Sequence, residues 1–302
     1  MISALLTAIC WSISGFASSR ISRFFGAPTA NLLRLCIATL LLFSICLWQN
    51  TGFTSTAAIW FVLAGLCHLC IGDMGLFAAF RRLGPRLSVL MVGSLAPPTA
   101  LLSEWWILGD FPSLSQIICA GSILLLVAVA VAPKERQHLS PQELRAGLLF
   151  GVIAAVGQGL SSTLQRYGNY QTTLSQTSVD PWLMILIRVG AGTLGVMVIL
   201  LFLQLAHQHP FRKPVELIPH RKVEGHPLLW LGISALMGPI IGMSFLITAL
   251  ETTSSGLVQA VIATMPVFMI PVAWILDGNA PSIRSIIAGS AAVSLTALLI
   301  FL

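Results

Sequence analysis

Trp60–Gly72 reads WFVLAGLCHLCIG, and Trp230–Gly242 reads WLGISALMGPIIG. The two stretches share their first tryptophan and last glycine, and the likeness runs on. Residues 60–121 lie over residues 230–289 with two one-residue gaps, matching Pro97 to Pro266, Trp105 to Trp274, Gly109 to Gly278, Pro112 to Pro281 and Gly121 to Gly289. Upstream, Arg34 and Thr39 answer to Arg188 and Thr193. A long unit repeated in a very apolar chain points to a duplicated membrane scaffold, an architecture common among secondary transporters.

Composition identifies the solvent. Hydrophobic residues make up 56% of the chain and charged residues 9%, with mean hydropathy +0.91, far from the balance of a water-soluble domain. The apolar runs are roughly 20 residues long, enough to cross a hydrocarbon core as helices. Barrel strands would give alternating segments of about ten residues, and none is present. In lipid, long unbroken runs satisfy their backbone polar groups as helices.

Ten spans are expected, at 1–20, 27–48, 57–80, 85–108, 113–132, 144–167, 182–206, 227–250, 255–276 and 282–302. Turns rich in Gly and Pro separate most of them, such as Gly26–Pro28, Gly84–Pro85, Gly109–Pro112 and Gly278–Pro281. The polar stretch 133–143 divides a first repeat, 1–132, from a second, 144–302. No basic segment precedes the first apolar run, so residues 1–20 read as a span and not a cleaved signal. Five spans per half is an odd number, so the second half must enter the membrane from the opposite side, and the repeat is inverted.

Charge gives an orientation. Joints after the odd-numbered spans hold Arg20, Arg23, Arg81, Arg82, Arg86, Lys134, Arg136, Arg145, Arg212, Lys213, Arg221, Lys222 and Arg284, whereas joints after the even-numbered spans hold only Arg166. Cytoplasmic loops collect Lys and Arg, so both termini are expected to face away from the cytoplasm. The net charge of +6 is then a matter of topology. It is scattered over short loops with no basic stripe interleaved with aromatics, which argues against nucleic acid.

The segment Gly72-Asp73-Met74-Gly75-Leu76-Phe77-Ala78-Ala79-Phe80-Arg81-Arg82-Leu83-Gly84-Pro85 resembles the third-to-fourth helix passage of EamA-type members of the drug/metabolite transporter superfamily. Leu95-Ala96-Pro97-Pro98 and Leu108-Gly109-Asp110-Phe111-Pro112-Ser113 are similar to that family's mid-helix proline and helix-ending motif. The resemblance covers nearly the whole chain. It implies an all-α integral membrane protein of ten helices in two inverted repeats that transports amino acids or related metabolites, commonly by efflux across a bacterial inner membrane. Two departures stand out. Asp110 occupies a position usually held by glutamate, with Asn279 in the second copy. The stretch Gln49–Ala58 lacks the cations many members carry there, so the orientation rests on this chain's own loops.

Charged residues inside spans cost about 2.5–3.5 kcal/mol on insertion scales and therefore mark candidate function. Arg34, Asp73, Glu104 and Arg188 are such residues. Arg34 and Asp73 both lie roughly 10 Å from one membrane face by helical rise, which predicts an ion pair, either structural or part of a gate or substrate site. Arg188 repeats Arg34, but Met243 stands where Asp73 would be repeated. Its partner could be a helix carbonyl, Glu251 or an anionic group on a substrate, or it could snorkel to the interface.

His68 is mid-span and could relay a coupling proton, or simply pack. In an α-helix it would point about 140° away from Asp73. Pro97 and Pro98 interrupt span four, and Pro266 and Pro271 interrupt span nine. Paired kinks of this kind can free carbonyls around a midplane cavity, or only improve packing. Trp11, Ser12 and Ser14 in span one and Gln158, Ser161, Ser162 and Thr163 in span six are further candidates, although small polar residues also join membrane helices without a ligand.

The six cysteines lie within spans and read as reduced packing residues. Cys67-His68-Leu69-Cys70 lacks a second ligand pair, and His207, His209, His220 and His226 fit a solvated loop, so no metal is expected. No nucleotide, metalloprotease or serine-hydrolase motif is present, and no cofactor is expected. The reading is a secondary transporter, monomeric or homodimeric, whose partners are the bilayer, a small organic solute with an anionic group, and a candidate coupling proton. Other classes are a membrane scaffold subunit, which needs no central cavity, and an intramembrane enzyme, which needs a nucleophile beside His68.

Overall fold

The computed structural model describes residues 1–51, 57–131, 140–175, 179–205, 226–277 and 283–299. Most of the linker 133–143, the histidines at 207, 209 and 220, the basic loop around them and the turn Gly278–Pro281 lie outside the described residues. Those described are helical, without strands. In chain order the helices are α1 (Ile2–Phe25), α2 (Ala27–Gln49), α3 (Ala58–Gly65), α4 (Asp73–Leu108), α5 (Leu114–Val131), α6 (Pro141–Leu174), α7 (Pro181–Leu205), α8 (Pro227–Ala235), α9 (Met243–Thr252), α10 (Ser255–Ile262), α11 (Met265–Asp277) and α12 (Ile283–Leu299). Two π-helical turns, Leu66–Gly72 and Leu236–Gly242, join α3 to α4 and α8 to α9.

Eight helical stretches are long and apolar enough to cross a membrane, while Leu114–Val129 and Ile286–Leu295 are shorter apolar helices. The surface agrees with a lipid solvent. Trp48, Trp106, Leu40, Leu125 and Phe202 are all more than half exposed, whereas Ser14, Ser18, Asn31, Gln165 and Arg188 are buried. Water would favour the reverse arrangement.

Local chemistry sets the breaks. Gly84 takes φ 76°, ψ 167°, open only to glycine, and Pro85 follows, so α4 consists of two rods meeting there. Gly109 caps α4 in the left-handed region, its N–H donating to the Trp105 carbonyl. Ser140 caps α6 ahead of Pro141, and Asp180 Oδ1 accepts from the Trp182 N–H at 2.8 Å to cap α7 ahead of Pro181.

The prolines behave unequally. Backbone angles stay helical through Pro97 and Pro98, and the only non-helical residue inside α4 is Gly84. In the matching place the second half does break, at Ala263–Thr264 between α10 and α11, with Pro266 as the second residue of α11. A proline in a first turn needs no acceptor for its missing N–H, so Pro266 starts a helix where Pro97 is carried inside one.

Repeated sequence gives repeated contacts. α1 packs on α8 and its π-turn, and α6 packs on α3 and its π-turn. Ser14 Oγ donates to the Ser234 carbonyl at 3.0 Å, and Ser161 Oγ donates to the Ala64 carbonyl at 2.7 Å. α2 packs along α7, where Thr39 and Thr193, counterparts in sequence, share a hydrogen bond of 2.8 Å.

Close crossings depend on glycine. A Cβ on Gly65 would overlap the Arg188 carbonyl oxygen and stand 2.9 Å from its carbon and 3.1 Å from its Cα. Backbone cannot retreat as a flexible side chain can. Gly65→Ala is expected to cost about 1–3 kcal/mol, measured by unfolding of the purified protein. The control is Gly121→Ala in α5, which meets nothing within 4 Å and should be neutral or slightly stabilising.

Candidate functional site

The π-turn Leu66–Gly72 builds the site. Its wide winding closes backbone bonds from i to i+5, and the Asp73 N–H donates to the His68 carbonyl. Residues five apart then share a face, so His68 and Asp73 line one cavity instead of diverging as an α-helical count requires. Side chains of neighbouring helices also reach carbonyls of the wide turns. Asn31 Nδ2 donates to the Leu69 carbonyl at 3.0 Å, Trp11 Nε1 to the Gly238 carbonyl at 3.3 Å, and Thr7 Oγ1 to the Gly242 carbonyl at 3.4 Å.

The cavity, of about 40 Å³, is lined from both halves of the chain. Trp11, Ser14, Ser18, Arg34, His68, Asp73 and Gln158 supply its polar wall, and Phe77, Phe80, Met243 and Met265 close it. That volume holds about one water, well short of the several hundred Å³ of a typical small-molecule site.

Arg34 and Asp73 form a buried ion pair. The same guanidinium donates to Asn31 Oδ1 at 2.9 Å and stands over the Phe77 ring, 5.1 Å from its centroid. Arg34 Nε has no acceptor among the described residues. His68 stacks obliquely on Trp11, ring centroids 5.2 Å apart.

Arg188 departs from the snorkelling alternative. It is 0% exposed and points inward. Nη1 donates to Gln165 Oε1 at 3.0 Å, and Nη2 donates to Ser161 Oγ at 2.7 Å and faces His68 Nδ1 at 3.5 Å. Glu251 is exposed and is not among these partners. Arg188 does not line the cavity; it stands behind His68. All its partners are uncharged, and its Nε has no acceptor among the described residues.

The repeat counterpart of His68 explains itself sterically. A Cβ on Gly238 would stand 2.5 Å from Ser14 Oγ and 3.4 Å from Arg34 Nη1, so a side chain there would press on Ser14 first. None of Pro97, Pro98, Pro266 and Pro271 lines the cavity: Pro97 and Pro266 are buried elsewhere, and Pro98 and Pro271 are exposed. Pro239, in the second π-turn, does line it, as does Met265 beside Pro266.

Sequence reasoning left Glu104 without a partner. It is buried and bonded to Arg166, the one cation that broke the loop-charge pattern. A lone buried acid and a lone misplaced base, both near span ends, were the signal that could have joined them. Gln259 was missed altogether; it accepts from Gln158 Nε2 at 2.8 Å. A larger space, about 790 Å³, is an open apolar groove between α2, α3 and α7, with no charged or hydroxyl side chain in its wall to orient a solute.

Among curated proteins, none matches the chain. A solved crystal structure is similar over 98% of this chain and 94% of the other, with a TM-score of 0.70 at 17% identity, a likeness of fold alone. The EamA-like transporter family model matches residues 1–132 and 145–302. With its apolar spans and polar interior, the chain belongs to the EamA-like transporter family and is an integral membrane protein of a family of transporters, not enzymes.

Proposed function

We propose that the protein is a secondary transporter moving a small organic solute with an anionic group by alternating access. Two inverted five-helix repeats, 1–132 and 144–302, would rock against each other, with α5 and α12 completing ten spans. The observation that carries the reading is a cavity walled from both halves, in which an ion pair, a histidine and a glutamine meet apolar side chains inside the membrane-spanning bundle. A scaffold has no need of one.

Charge supports the solute class. Arg34 and Asp73 offset each other, which leaves Arg188 as the uncompensated charge beside the cavity, and an anion would balance it. Amino-acid-like metabolites satisfy this and agree with the family resemblance, as does export. Coupling to a proton would draw on His68 or Asp73. Both termini are assigned away from the cytoplasm by the basic loops, in a bacterial inner membrane, with the protein acting as monomer or homodimer.

The test is transport by purified protein in liposomes across a broad panel of metabolites, with and without a pH gradient. Saturable, protein-dependent movement of an anion-bearing solute is the expected result. Movement of no member of the panel under either condition overturns the proposal.

A further inference from the structure

We propose that Glu104 latches the end of the bundle where α4 finishes and α10 begins, and that α10 links this latch to the cavity. The purpose of the latch rests on the transporter reading; its geometry does not.

Glu104 is 1% exposed, and both carboxylate oxygens are in use. Oε1 accepts from Arg166 and from the Ser255 N–H at 3.1 Å. Oε2 accepts from the Ser255 hydroxyl at 2.8 Å and the Gly256 N–H at 3.2 Å. A carboxylate on α4 thus satisfies the first orphan donors of α10 and meets the positive end of its dipole. Thr163 of α6 adds a bond to Ser255 Oγ at 3.0 Å, and the second arm of Arg166 reaches Asp110 Oδ2 at 3.1 Å. Three helices meet on one acid.

The helix it holds is short and ends in a break. α10 stops at Ile262, and the chain turns at Ala263–Thr264 before α11 begins with Met265, which lines the cavity. One turn along α10 from Ser255, Gln259 takes the Gln158 amide at 2.8 Å and donates to Ser162 Oγ at 2.5 Å. Gln158 is part of the cavity wall. The same two-turn strut is therefore fixed at one end by Glu104 and reports on the cavity one turn later. A solute that draws Gln158 toward itself must move Gln259, and with it the end of α10 that Glu104 holds.

Sequence makes the device one-sided. The repeat counterpart of Glu104 is Ala273, so the second half has no equivalent acid. Two halves related by inversion need unequal closures if one end is to open on a different signal from the other. A structural clasp would also be buried and bonded. It would lower stability when broken, but it would leave the two helix ends at one separation.

Spin labels placed at Trp106→Cys on α4 and Thr252→Cys at the end of α9, in a background with the six native cysteines replaced, read that separation in the purified full chain in lipid nanodiscs, without solute. Glu104→Gln is expected to raise the ratio of long to short distances about tenfold, and Glu104→Ala at least as much. Should the Glu104 variants not fold, Ser255→Ala removes the hydroxyl bonds to Glu104 and Thr163 and is expected to shift the distribution the same way by about threefold or more. A distribution identical to the parent's in every folded variant overturns the latch. Because no solute is present, a latch without transport, or transport without a latch, leaves the two proposals separately decided.

Discussion

Asp73→Ala is expected to destabilise the protein by about 3–5 kcal/mol, the cost of leaving a buried guanidinium without its counterion. Arg34 keeps only the Asn31 oxygen and the face of Phe77 once the carboxylate is gone, and its Nε already lacks an acceptor among the described residues. The double variant Arg34→Met with Asp73→Leu should recover most of that stability, because apolar residues of similar volume can replace a buried pair at little cost. Recovery of the fold separates the two meanings of the pair. If it only holds α2 to the start of α4, the double variant transports. The pair lines the cavity, so the expected result is a folded protein with transport reduced at least about a hundredfold, consistent with the loss of two charge-assisted contacts. Full transport by the double variant would make the pair structural.

Much of the scaffold was legible because it depends on local chemistry. Apolar runs fix where helices lie, and Gly84–Pro85 and Gly109 fix where they turn, since backbone angles there are open to few residues. The cavity was legible only in part. Trp11, Arg34, His68, Asp73 and Gln158 were candidates because polar groups inside apolar spans need a reason, and the structure brings all five into one wall. What brings them together could not be read. A π-turn is not written in hydrophobic periodicity; it persists where other helices pack and bond against it, as Asn31 does at the Leu69 carbonyl and Trp11 at the Gly238 carbonyl. An α-helical count therefore put His68 and Asp73 apart. Proline misled for a related reason: its cost depends on whether neighbouring helices tolerate a continuous rod, as around Pro97, or a break, as before Pro266.

The mismatches between the halves are also packing facts. Gly238 leaves the space that Ser14 and Arg34 occupy, and His68 takes the matching place on the other side, where it meets Arg188 and Trp11. Arg34 and Arg188 began as equivalent residues and now have different neighbours. One is paired directly with an acid in the cavity wall. The other, hydrogen-bonded only to neutral groups, stands behind a histidine of that wall.

Arg188→Ala is accordingly expected to lose both stability and substrate affinity, for separable reasons. Its bonds to Gln165 and Ser161 tie α7 to α6, and their loss with the void left behind should cost about 3 kcal/mol or more. Affinity is affected through His68. A guanidinium only donates, so a bond between the two requires the imidazole nitrogen facing it, Nδ1, as acceptor, with the proton of a neutral ring on Nε2. Without Arg188 the ring is free to turn, and KM for the transported solute should rise about tenfold or more while the maximal rate of folded protein changes less. Arg188→Lys, which keeps the charge but not the fork, should fall between. The deciding measurement is a double-mutant cycle with His68→Gln. If Arg188 is a positioning residue, the double variant is no worse in KM than the poorer single, because both remove the same oriented donor. Effects that simply add would mean that Arg188 reaches the solute by its own route, and the positioning account would fall.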